Sequence, residues 1–181
     1  MKPRLVLLAL TIYFLAGNLP RGGAEDKAGP KIPDKLKIPE GHRFRFKTQA
    51  EGVQIYISAE EDGKLVWKFK APLAFLLQKG EKAGYHYAGP TWEAPDGSKV
   101  KMSEKPSGVK SPGPKPAVDW LRIKVKSIGD NKGRFAGVTY ILRLETEGGV
   151  APALKAEKAG IEVGIPYKAT YYFFGPGANE H

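Results

Sequence analysis

The densest chemistry in this chain lies between Gly84 and Asp96. The run Gly84-Tyr85-His86-Tyr87-Ala88-Gly89-Pro90-Thr91-Trp92-Glu93 gathers an imidazole, two phenols, an indole and a carboxylate, and Asp96 follows shortly after. Tyr87 and Trp92, if exposed, could stack on a sugar or another flat ligand, because such rings bring large contact area at small entropic cost. His86 and Glu93 could act as a base and the group that orients it. The plainer alternative is that Tyr85, Tyr87 and Trp92 fill a core and that His86 is satisfied by a backbone carbonyl. Pro90 and the two glycines favour a shaped loop that holds polar groups in fixed directions. Gln54 and Tyr56, in the polar phase of an alternating strand, either line a second surface beside this loop or are simply solvated.

Other chemistries find little to work with. The only histidines are His42, His86 and His181. No pair of them has a spacing that sets two ligands on one face, so no metal is expected. There is no Gly-x-Ser-x-Gly elbow and no glycine-rich phosphate loop, and no cofactor is expected. With no cysteine, thiol catalysis, thiolate metal sites and disulfides are excluded. Glu60, Glu61 and Asp62 read as a charged hairpin tip. Glu93 and Asp96 could support glycoside hydrolysis only if a further carboxyl lay across a cleft.

The elements that must position these groups are strands. Val53, Ile55 and Ile57 alternate with Gln54, Tyr56 and Ser58, and Leu65, Trp67 and Phe69 alternate with lysines. Such period-two patterns put one set inside and the other in water, which assigns Trp67 to the core. Glu61-Asp62-Gly63 between those runs is a hairpin signal, since Gly takes the positive φ of a tight turn. Ala94-Pro95-Asp96-Gly97-Ser98 is a second turn, between short strands at Thr91–Glu93 and Lys99–Met102. Leu73–Gln78 reads as a short strand or one helical turn, and Pro106–Pro116 as an exposed loop. Leu121, Ile123 and Val125 mark another strand, Phe135–Glu145 a long one, Lys155–Lys158 a helical turn, and Gly160–Phe174 the last strands. The expectation is an all-β single domain, an antiparallel β-sandwich or β-barrel of roughly nine to eleven short strands.

At the N-terminus, Lys2 to Arg4 precede an apolar run, Leu5–Ala16, and a small-residue exit at Ala24. That order reads as a secretory signal over 1–24. The run is shorter than the about 20 residues a membrane span needs. The remaining organisation is expected to be a flexible leader over 25–39, a β domain over 40–175 and a tail over 176–181. The protein is then periplasmic or extracellular. The chain carries a net charge of +10, supplied mostly by lysines spread along it. Scattered lysine suits solvated strand faces and argues against specific nucleic-acid binding. A polysaccharide or anionic cell-surface polymer is the expected partner.

Several segments together resemble a known family. They are Glu51-Gly52-Val53-Gln54-Ile55-Tyr56, His86-Tyr87-Ala88-Gly89-Pro90-Thr91-Trp92-Glu93-Ala94 with Asp96-Gly97-Ser98, Trp120-Leu121, Gly148-Gly149-Val150-Ala151-Pro152, and Pro166-Tyr167 with Ala169 and Tyr171-Tyr172-Phe173. The family is exported from bacteria and fungi and known only as a domain of unknown function, number three-four-five-five. The resemblance runs from about Leu36 to Phe174 and implies export and a single domain, but no reaction. Relatives often carry two cysteines where this chain has Ser58 and a residue near Lys155, so a disulfide there is absent here. The leading expectation is a secreted binding or surface-associated module whose site comprises Tyr85, His86, Tyr87, Trp92, Glu93 and Asp96, with Gln54 and Tyr56. The rivals are an extracellular enzyme using His86 and Glu93 in acid–base roles, and a structural envelope protein without a small ligand.

Overall fold

A computed structural model describes residues 31–177. The expected signal segment, the start of the leader and residues 178–181 of the tail lie outside the described residues. Nine strands follow one 3-10 turn, Asp34–Leu36: β1 (His42–Glu61), β2 (Lys64–Gln78), β3 (Glu81–Tyr87), β4 (Thr91–Glu93), β5 (Lys99–Met102), β6 (Ser107–Val109), β7 (Trp120–Ile128), β8 (Tyr140–Gly148) and β9 (Glu162–Pro176). They form one antiparallel sheet in the order β5-β4-β3-β2-β1-β9-β8-β7-β6. Strand β5 also pairs with β7, from Lys99 opposite Ile128 to Met102 opposite Val125. That pairing closes the sheet into a barrel, and β6 continues the same edge of β7 beyond β5.

Local chemistry explains the closure. Asp62 and Gly63 both take positive φ, 50° and 70°, the geometry of the tight turn between β1 and β2. Lys79 and Gly80 do the same between β2 and β3, at 53° and 83°. Strand β1 pairs with both β2 and β9, and its register shifts at Phe44/Phe46 and Ile55/Tyr56 bend it around the barrel. Gly52 lies at the closest approach of β1 to β2. A Cβ there would collide with the Leu73 carbonyl and sit 2.5 Å from Ala74 Cα.

Inside the barrel, Ala50, Leu76, Trp92, Val100, Ile141 and Tyr171 belong to one buried cluster. One end is stoppered by the β7–β8 connection, whose Phe135 and Val138 enter that cluster against Phe46 and Phe173. A second cluster lies outside the wall. Leu36 covers Trp120, Leu142 and Leu144, with Ile32 and Ile38 alongside. Arg122 Nη1 donates to Lys37 O at 2.6 Å and ties this segment down. Burying a leucine in this way contributes about 2 kcal/mol.

Several expectations are corrected by this arrangement. In β1, Gln54, Tyr56 and Ser58 face inward, and Val53, Ile55 and Ile57 are only half-buried. Period two identifies two faces, but it does not say which is inside when the interior is partly polar. Trp67 is half-buried rather than core, and its Nε1 donates to Leu154 O at 2.7 Å. The segment expected to be a flexible leader up to residue 39 contains the docked Leu36. The proline-rich loop includes strand β6. The long strand expected from Phe135 begins only at Tyr140, because the preceding residues form the stopper. Lys155–Lys158 is irregular and not helical.

Candidate functional site

The β3–β4 ladder pairs Tyr85 with Glu93, His86 with Trp92 and Tyr87 with Thr91. Strand pleating therefore splits the sequence cluster between two faces of the wall. His86 and Trp92 point inward, while Tyr85, Tyr87 and Glu93 point outward, so His86 and Glu93 do not meet as an acid–base pair. On the outer face, Tyr87 Oη donates to Glu93 Oε2 at 2.7 Å and Lys99 Nζ lies 3.2 Å from Glu93 Oε1. The bond to Glu93 raises the Tyr87 phenol to about 12, and the same bond lowers the Glu93 carboxyl. Tyr85 packs on Phe75, and its hydroxyl accepts from Lys82 Nζ at 2.7 Å.

Asp96 belongs to the stoppered end. Its carboxylate accepts from Ser98 Oγ at 2.6 Å, Ser98 N at 2.9 Å and Arg134 N at 2.7 Å. These donors, the Ser98 hydroxyl first, hold its pKa below the usual carboxylate value. Its role there is to fasten the β4–β5 turn to the stopper.

On the inner face, His86 and Trp92 stack with ring centroids 4.3 Å apart and planes 15° from parallel. Trp92 is 0% exposed and His86 3%. His86 Nδ1 lies 2.9 Å from Thr91 O. A carbonyl only accepts, so Nδ1 carries the proton. Burial pushes the imidazole down to about 3, against the opposing pull of that carbonyl. The ring is therefore neutral at ordinary pH, and Nε2 is its lone-pair acceptor.

His86 and Trp92 line a cavity of about 470 Å³ at the end of the barrel opposite the stopper. Gln54, Tyr56, Arg143 and Tyr171 share it, with apolar walls from residues such as Phe69, Met102, Val118 and Ile123. Loops around Pro90, Pro106–Asp119 and Val150–Ala151 form its rim. The loop at Gly149 sets β1 in place. Tyr56 Oη donates to Gly149 O at 2.7 Å, and Gly149, at φ 76°, leaves no room for a side chain against Gln54 and Tyr167.

Four of the eight expected site residues thus converge, namely Gln54, Tyr56, His86 and Trp92. Arg143 and Tyr171 complete the group; neither was among the expected site residues, although Tyr171 lies in one of the segments that carry the family resemblance. A signal for Arg143 did exist, since an arginine between Leu142 and Leu144 in a run that is apolar on both phases is a charge between two packed faces. Arg143 Nε and Nη2 donate to Asp119 O at 3.1 and 2.8 Å. The Asp119 carboxylate itself pairs with Lys110, at 3.1 Å. Gln54 Nε2 and Trp92 Nε1 are buried without a hydrogen-bond partner. Among the described residues no three His, Asp or Glu side chains gather as a metal site, and no helix is long and apolar enough to cross a membrane.

Neither the curated proteins nor the solved structures contain a match to this chain. A family model described as "Protein of unknown function (DUF3455)" matches residues 39–175, which spans the whole barrel, and the chain belongs to that family.

Proposed function

We propose that this protein is a binding module that takes a small molecule into the mouth of its barrel. The supporting observation is the cavity of about 470 Å³, mostly apolar, with Gln54, His86, Trp92 and Arg143 among its lining residues. Ligand sites are typically concave, about 300–1,000 Å³ and largely apolar, with a few fixed polar groups, and the mouths of β-barrels are a common location. Trp92 is enclosed, so a polysaccharide lying along the outer wall would not reach it. The basic n-region, apolar run and small-residue exit over 1–24 support export.

The test uses the neutral dye N-phenyl-1-naphthylamine and a Val118→Trp variant, whose indole would occupy part of the cavity. Saturable enhancement of dye fluorescence in the wild type, lost in the folded variant, is the expected result. Absence of dye binding, or binding indifferent to Val118→Trp, would overturn the proposal.

A further inference from the structure

Arg143 is a permanent cation, half-buried in the wall of this largely apolar cavity. Its inward neighbours are neutral. Tyr56, His86, Tyr167 and Tyr171 all lie within its field, and burial holds the three phenols above, and the imidazole below, their ordinary pKa values. Among the described residues no carboxylate pairs with Arg143. Asp119 offers it only a backbone carbonyl and spends its carboxylate on Lys110. Nε and Nη2 donate to that carbonyl, and the guanidinium also lies against the neutral Tyr171 hydroxyl, so these partners carry no negative charge. The Gln54 amide faces the Tyr167 hydroxyl without a hydrogen bond of regular geometry.

Of the charged groups lining the cavity, Lys110 and Asp119 pair with each other, which leaves Arg143 as one positive charge in excess. Arg143 is only half-buried, and a carboxylate placed beside such a cation accepts charge-assisted hydrogen bonds that the neutral groups around it cannot match. The rest of the wall is apolar. At about 30 Å³ per water-sized group, the chamber holds about fifteen non-hydrogen atoms.

We propose that the ligand is a small amphipathic acid, its carboxylate held at Arg143 and its apolar body lying against Phe69, Met102 and Ile123. This rests on the reading of the barrel mouth as a ligand site and specifies the class of molecule it selects. His86, a neutral acceptor, adds no competing positive charge. A free amine would meet the Arg143 cation unfavourably, and a neutral alcohol would leave that cation unpaired.

The experiment compares octanoate, 1-octanol and octylamine by calorimetry on the full exported protein and on Arg143→Gln. Octanoate is expected to bind at least about tenfold tighter than octanol, with octylamine weakest. Arg143→Gln should abolish the preference for the acid, so that octanoate binds no tighter than octanol. In case that variant does not fold, ¹³C-carboxyl octanoate bound to the wild type gives an independent reading: its pKa should lie below that of the free acid, because a cation beside a carboxyl favours ionisation. Equal affinity for acid and alcohol, an acid preference that survives in Arg143→Gln, or a bound acid titrating at or above the free value would each overturn the inference. If the neutral dye binds but octanoate does not, the acid reading fails and the cavity reading stands. If neither binds, both fail.

Discussion

The stacked, enclosed His86 makes stability depend on pH in a calculable way. In the unfolded chain a histidine has a pKa of about 6.5, whereas in the barrel burial pushes His86 down to about 3. Between those values the unfolded state binds the proton and the folded state does not, so stability falls as pH falls below about 6.5. The contribution of His86 is complete above that value. It shrinks by about 1.4 kcal/mol per pH unit until pH about 3. From pH 7.5 to pH 5.0 the expected loss is about 2 kcal/mol. The carboxylates with lowered pKa, Asp34, Glu93 and Asp96, lose their contribution only at lower pH and leave this window clear. Urea unfolding of the wild type and of His86→Gln at both pH values measures the effect as the difference in slope, whatever the substitution costs at neutral pH. If both proteins lose the same stability between pH 7.5 and 5.0, His86 is not held as a neutral ring, and the assignment of its tautomer and acceptor role fails with it.

Further outcomes follow from the packing. Gly52→Ala should destabilise by about 3 kcal/mol or more, since the added methyl meets the β2 backbone, which cannot yield as a side chain would; a melting temperature unchanged within error would refute the close approach. Leu36→Ala should cost about 2–4 kcal/mol in denaturant unfolding if the N-terminal segment seals Trp120, Leu142 and Leu144, and a loss below about 0.5 kcal/mol would show that it does not. Ser58 Oγ donates to Lys158 O at 2.7 Å and accepts from Ile161 N at 2.9 Å, so Ser58→Ala should cost about 1–3 kcal/mol and speed hydrogen exchange at Ile161. Asp96→Ala should accelerate exchange of the Ser98 and Arg134 amides without changing octanoate affinity, because that carboxylate serves the stoppered end.

The turns were plain in the sequence because their chemistry is local. Asp62-Gly63 declares a left-handed pair of residues, and the strands on either side follow from it. What period two could not reveal was the direction of the interior. In β1 a polar set faces in because the barrel encloses a partly polar chamber, and the apolar set shares an outer surface with neighbouring strands. Strand β8 is packed on both faces, with Ile141 inside and Leu142 outside, which hides any alternation. The site was half legible for the same reason. Proximity in sequence brought His86, Trp92 and Glu93 together, but the pleat sends Glu93 to the other side of the wall. Arg143 and Tyr171 come from strands far along the chain, and only closure of the sheet places them opposite His86. Ser58, which carries no sequence signal of its own, joins β1 to the segment at Lys158–Ile161 through hydrogen bonds of its hydroxyl.

The stopper has a kinetic consequence. Phe135 and Val138 block one end of the barrel from within, so whatever enters at the rim must leave by the rim. Arrival and departure share one doorway, framed by the loop around Pro90, the Pro106–Asp119 segment and the Val150–Ala151 segment. For the ligand proposed above, residence time would then be set by those three loops, and substitutions there would retune it without touching the end that holds the barrel shut.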